Sequence, residues 1–281
     1  MKTKILMIAM VLSLMTIGCT KESLDNATIS ADDVSVNAKM DQASNDVADV
    51  VETQYLIQNP SATGRGVLDI NDVLPPCANV TIVVNGTTWV RTVDFGTTGC
   101  AMPNGNILKG KIIVSGSTTF SNQSYVITYS FDNFYHNNAL VQGTRTVSRS
   151  FQATTANATP HPVYEMDINM SLTFPILGTY TRVGSRTREL IEGFGTATIS
   201  DNIYLITGSW TTTKPNGNSH SANITSPLRF DFVSCPAYKL VSGNLHITKN
   251  SHYADLNYGT GTCDNIYTVS IDGGTAVNHN F

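Results

Sequence analysis

The chain has 281 residues, enough for one large β domain or two small ones with ample core. Only 14% of the residues are charged and the formal net charge is −4, or −6 without Lys2 and Lys4, so no basic stripe is available for nucleic acid. Thr, Ser, Asn and Gly fill most other polar positions, which suits sheet surfaces and turns and argues against a helical bundle.

At the N-terminus, Lys2 and Lys4 precede an apolar run from Ile5 to Ile17. The run is too short and wrongly flanked for a transmembrane helix and has the form of an export signal. It ends Thr16-Ile17-Gly18-Cys19, which resembles the lipobox of bacterial lipoproteins, with Thr16 where Leu is usual. The resemblance implies loss of residues 1–18, acylation of Cys19, and a membrane partner held through that anchor. No Asp follows Cys19, which by the same resemblance implies the outer membrane, on its periplasmic or surface-exposed side. Lys21-Glu22 resembles a thin version of the charged surface-export tag of Bacteroidota lipoproteins.

Residues 19–64 read as a tether followed by one helix, and residues 65–281 as an antiparallel β domain. Val36, Met40, Ala43, Val47, Val50 and Gln54 recur at helical spacing, and Ser30 with Asp33 makes a capping box. The stripe is narrow, and the helix is expected to pack on one edge or face of the sheet, with a partner-binding or coiled-coil role as the alternative. Asn59 to Gly64 closes the segment as a loop.

From Cys77 onward, runs of strand character alternate with Asn-Gly, Gly-rich or Pro-containing turns, giving about a dozen strands by period and spacing. Asn85-Gly86, Asn104-Gly105 and Asn216-Gly217 mark turns between sequence neighbours, so the predicted fold is an all-β antiparallel meander, a large curved or open-barrel-like sheet. In the hairpin Tyr125 to Val147, the residues Tyr125, Ile127, Tyr129, Phe131 and Tyr135 share one parity. Asn137-Asn138 turns it, by a loop of two or three residues. In the next hairpin, Pro175 to Gly178 read as a tight turn places Glu165 opposite Arg188, Asp167 opposite Arg186 and Ser171 opposite Arg182 on one face. The other face carries Tyr164, Met166, Ile168, Met170, Leu172 and Phe174, with Val183 among its partners.

Besides Cys19 the chain has Cys77, Cys100, Cys235 and Cys263, which allow three pairings. Cys235 and Cys263 lie symmetrically about the Lys249-Asn250 turn, while Cys77 and Cys100 need the Gly96 to Gly99 stretch in order to meet. In an exported chain Cys77–Cys100 and Cys235–Cys263 is the favoured pairing, each loop stabilising by about 3 to 4 kcal/mol in the chain-entropy model. Zinc-knuckle spacing is absent, and no metal or other cofactor is expected.

Catalytic signatures are weak. Glu165 and Asp167 are spaced to share a strand face as glycosidase acids do, but arginines opposite would hold both ionised. The histidines (136, 161, 220, 246, 252, 279) form no HExxH, and no serine sits in a Gly-x-Ser-x-Gly elbow. Ser251-His252 with Asp255 reads as a solvated turn, and Asp94 and Asp264 read as turn caps. The aromatic rows Tyr125, Tyr129, Phe131 and Tyr135, and Tyr164, Met166, Met170 and Phe174, serve either as core or as the lining of an apolar groove. A carrier of acyl chains would need about 300 Å³ of continuous cavity beneath them.

From about Cys77 to Ser270 the ordered motifs Val93-Asp94-Phe95-Gly96, Lys109 to Val114, Ser130 to Tyr135, Gly143 to Val147 and Tyr258 to Cys263 resemble a family of Bacteroidota outer-membrane lipoproteins. The resemblance implies location and a Cys-framed β fold and carries over no catalytic residue. The expectation is a non-enzymatic outer-membrane or cell-surface lipoprotein with a structural or binding role toward a protein or apolar ligand. The alternatives are a lipid carrier or sensor and, behind it, an envelope glycan hydrolase.

Overall fold

The computed structural model describes residues 28–58, 74–119, 124–196, 198–236 and 240–280. The export signal, Cys19, the start of the tether and the Asn59 to Gly64 loop lie outside the described residues.

The described residues form one helix, α1 (Ala31–Gln58), and fourteen strands. The first half comprises β1 (Asn79–Asn85), β2 (Thr88–Asp94), β3 (Cys100–Ala101), β4 (Ile107–Ser117), β5 (Ser124–His136), β6 (Ala139–Gln152) and β7 (His161–Phe174). The second comprises β8 (Gly178–Glu192), β9 (Ile203–Thr213), β10 (Ser219–Asp231), β11 (Leu240–Lys249), β12 (His252–Thr260), β13 (Ile266–Ile271) and β14 (Val277–Asn280). They run in chain order as one antiparallel meander that does not close, with β3 attached to β4 alone. The predicted turns build it: Asn85 pairs with Thr88 across Gly86-Thr87, His136 with Ala139 across Asn137-Asn138, and Lys249 with His252 across Asn250-Ser251, one residue beyond the expected Lys249-Asn250. Asn137 and Asn250 sit at φ 55° each, where a short amide side chain is tolerated best.

The capping box forms reciprocally: Ser30 Oγ accepts from the Asp33 amide at 3.2 Å and the Asp33 carboxylate accepts from the Ser30 amide at 3.0 Å. Beyond this cap, α1 is more deeply covered than a helix laid on one face of a sheet. Of 28 residues in α1, 18 are buried, among them Asp33, Asn37, Asp41, Asp46 and Glu52 as well as Val36, Met40, Val47 and Tyr55. The curved sheet therefore encloses α1, and a narrow apolar stripe suffices because its polar flanks are also covered. Helix and sheet share one core, in which Met40 and Val50 join Trp89, Leu108, Ile168 and Leu256.

Two sequence expectations are corrected. In the β7–β8 hairpin Phe174 pairs with Gly178, so the loop is the three residues 175–177, and the register shifts by one. Tyr164 lies opposite Arg188, Met166 opposite Arg186, and Met170 opposite Arg182. The arginines share the buried face with the apolar row, whereas Glu165, Asp167 and Val183 are exposed on the outer face. The reason is α1, whose carboxylates compensate the buried guanidinium groups. Along β5 the parity breaks at a bulge where Asn133 adopts φ 46° opposite Gly110 at φ 80°. Phe134 and His136 turn inward, and Tyr135 faces out beneath the Lys109 ammonium, 4.2 Å from its ring. A Cβ on Gly110 would stand 1.9 Å from the Asn133 carbonyl oxygen, so only glycine fits there.

Both favoured cysteine pairings are at disulfide distance, with Cα–Cα separations of 5.9 Å for Cys77–Cys100 and 5.2 Å for Cys235–Cys263.

Candidate functional site

The polar residues of α1 recur three or four apart and meet a ladder of cations and phenols on the sheet. At the N-terminal end the Lys214 ammonium lies 2.6 Å from Asp33. Burial pushes the Asp33 carboxyl up, but the bond to Lys214 and the Ser30 amide bring it below its ordinary value. One turn on, the Asn37 side-chain oxygen accepts from Arg182 Nη2 at 2.6 Å and from Trp210 Nε1 at 3.1 Å. Asp41 then takes both Arg182 and Arg186, whose guanidinium groups lie 4.8 and 4.3 Å from the Trp210 ring. Further along, Asp49 accepts from Arg188 at 2.7 Å, and Glu52 Oε1 accepts from the Tyr164 and Tyr204 hydroxyls at 2.8 Å each.

The balance differs between rungs. Burial lowers the Arg182 guanidinium to about 10, with Asp41 opposing and Arg186 adding to the fall, because two cations share one carboxylate. Arg188 is equally buried, yet Asp49, Tyr204 and Glu52 outweigh its desolvation and raise it. His220, which burial lowers to about 4, stands neutral beside Asp33, Lys214 and Arg182. Arg145 and Arg149 on β6 form no carboxylate ion pair among the described residues; Arg145 donates to Tyr129 and Ser44, and Arg149 faces the Tyr125 and Tyr164 rings.

On the opposite flank of α1, Asp46 is held by the Asn104 amide at 2.8 Å, the Asn106 amide at 2.7 Å and His136 Nε2 at 2.8 Å. That flank borders a pocket of about 280 Å³. Asp41, Gln42, Asn45, Asp46 and Asp49 of α1 form one wall, the turn Asn104 to Asn106 another, and Leu228, Phe230, Leu240 and Tyr258 the apolar third. Burial raises the Tyr258 phenol far above its ordinary value, so it stays a neutral hydroxyl. Because Asp41 and Asp49 are paired with arginines and Asp46 is held by Asn104, Asn106 and His136, the pocket presents oriented acceptors and amide donors. A second opening of about 230 Å³ lies beside Lys39, Asn137, Phe174 and Tyr267.

The aromatic rows singled out in the sequence are mostly covered by α1. Tyr125 stacks on Tyr55 at 3.5 Å between centroids, and Tyr129 and Met166 lie within 3.6 Å of each other. Tyr164 bonds Glu52, Met170 contacts Ser44, and Phe174 packs against Tyr180. Phe131 stacks on Phe134 at 5.3 Å, and Tyr135 lies outside this set. The void among Tyr125, Tyr129, Tyr164 and Met166 measures about 20 Å³, far below what an acyl chain needs.

Other sequence candidates disperse. His252 pairs with Asp272, and Asp255 with His246, so the Ser251-His252-Asp255 cluster does not assemble. Asp94 and Asp264 cap their own turns, accepting from the Gly96 and Ile266 amides. Among the described residues no three His, Cys, Asp or Glu side chains gather as metal ligands would. The inward arginines and their helix carboxylates were missed, although a signal existed: Arg182, Arg186 and Arg188 share parity with the buried Tyr180 and Leu190.

Comparison with protein-family models, with characterised proteins and with solved structures finds no match for this chain.

Proposed function

We propose that this protein is a non-enzymatic lipoprotein of the outer membrane or cell surface, anchored at Cys19, that binds a small uncharged polyhydroxylated ligand, one sugar unit in size. The lipobox-like Thr16 to Cys19 and the family resemblance support the location. The binding reading is carried by the pocket of about 280 Å³ between α1 and β10–β12. Its acceptors are fixed by buried cations, its amides supply donors, and Phe230 and Tyr258 give the apolar wall on which a sugar's C–H face packs. The binding role takes precedence over an apolar carrier because α1 fills the groove beneath the tyrosine rows. Catalysis is disfavoured because Asp41, Asp46 and Asp49 are each tied to arginine, asparagine or histidine donors, which makes them fixed acceptors rather than a paired acid and base.

Native mass spectrometry of the protein purified from its own membrane tests the whole reading. The expected mass begins at an acylated Cys19 and includes both disulfides, and glycan added in titration binds the wild type but not Gln42→Leu/Asn45→Leu. An unprocessed N-terminus would overturn the location, and a retained acyl-chain ligand would overturn the site.

A further inference from the structure

The meander leaves β1 as one terminal strand, paired to β2 and to nothing else among the described residues. Its sequence is Asn79-Val80-Thr81-Ile82-Val83-Val84-Asn85, with no charge and no proline. Ile82, Val83 and Val84 are 46%, 64% and 58% exposed. Edge strands are normally blunted by lysine, proline or a bulge, because their free amides and carbonyls template pairing with another chain. None of these devices is present here: the register with β2 is unbroken from Asn79 to Asn85.

We infer that β1 is a self-association edge, at which two copies of this chain pair β1 to β1 about a two-fold axis through Ile82. An isologous interface requires one surface to be complementary to itself, and this strand reads nearly the same in both directions. Antiparallel pairing centred on Ile82 sets Asn79 against Asn85, Val80 against Val84, Thr81 against Val83, and Ile82 against its own copy. Paired positions then share parity, so outward amides meet outward carbonyls and equivalent faces of the two strands coincide. Val80, Ile82 and Val84 lie opposite Val93, Arg91 and Trp89 of β2 on the inner face, and pairing extends that face from one copy into the next. The opposite edge, β14, is four residues long and carries Asn278, His279 and Asn280, so it lacks this symmetry. Two-fold pairing consumes both β1 edges and closes at a dimer. The inference is independent of the ligand and of the lipid anchor.

Sedimentation velocity of the full-length chain in non-ionic detergent is the test. The expected result is a monomer–dimer equilibrium that Ile82→Lys weakens by about tenfold or more, because the substitution sets like charges face to face across the axis. Species larger than dimers, or a monomer at every concentration, would overturn it. Ile82→Cys gives a second readout, since directly opposed residues on antiparallel strands have Cα atoms about 4.5 to 5.5 Å apart, within disulfide reach. Mild oxidation is expected to link Ile82→Cys into a covalent dimer and to leave Val277→Cys on β14 unlinked; equal yields from both would overturn the assignment.

Discussion

Arg182 on β8 and Asp41 on α1 form an ion pair inside the protein, and Arg186 closes on the same carboxylate oxygen. One helix residue thus fixes the inward direction of two strand residues that would otherwise be expected on the outside of a sheet. The pair also sets the rotation of α1, because Asn37, one turn earlier, must meet Arg182 and Trp210 together.

Removing the shared carboxylate should therefore be severe. Asp41→Ala leaves two buried guanidinium groups with one partner fewer, and chemical denaturation should show a loss of about 3 to 5 kcal/mol. Asp167→Asn, on the exposed outer face, should stay within about 0.5 kcal/mol. The register expected from the sequence alone, with Asp167 opposite Arg186 on the outer face, would instead leave Asp41 without these arginines and give Asp167 an exposed pair worth up to about 1 kcal/mol.

Gly110 gives a backbone test. Gly110→Ala must place a Cβ 1.9 Å from the Asn133 carbonyl oxygen at φ 80°. It should destabilise by about 2 to 4 kcal/mol through strain and overpacking. Gly86→Ala, at φ 58° with nothing within 4 Å, should cost only the left-handed penalty of about 1 kcal/mol. Equal midpoint shifts in urea would mean that the bulge is not formed.

Acid should act through His220. Burial lowers its imidazole from 6.5 to about 4, so between those values the unfolded chain binds the proton and the folded one does not. Stability from this residue is complete above pH 6.5 and falls as the pH drops toward 4, by up to about 3 kcal/mol. Thermal melts of His220→Gln across this range should show a shallower acid slope than the wild type, and parallel curves would show that other groups carry it.

The Cys235–Cys263 link spans a sequence separation of 28 at the open end of the β11–β12 hairpin. Replacing both cysteines with serine should lower stability by about 3 to 4 kcal/mol, as loop closure in the unfolded chain predicts. No change in the denaturation midpoint would mean that the link is not formed in solution.

Much of this architecture was legible because its determinants are local. Asn137-Asn138 and Asn250 fix hairpins through backbone preference, the Ser30–Asp33 box fixes where α1 starts, and period two exposes the buried row of β7. The β7–β8 register was not legible, because Pro175 to Gly178 admits two loop lengths and charge pairing on the outer face favoured the wrong one. The candidate pocket was missed altogether. Its walls come from α1, the turn at Asn104 and β10–β12, segments separated by up to some two hundred positions and joined by no spacing rule.

Composition, turn chemistry and alternation by themselves determined an antiparallel meander and its neighbours and favoured one of three cysteine pairings, since each depends on residues close in the chain or on a single hairpin. Only the tertiary structure decided that the helix lies within the sheet. Burying arginines is unfavourable until carboxylates from another element reach them, and that compensation exists only once Asp41, Asp49 and Glu52 are docked.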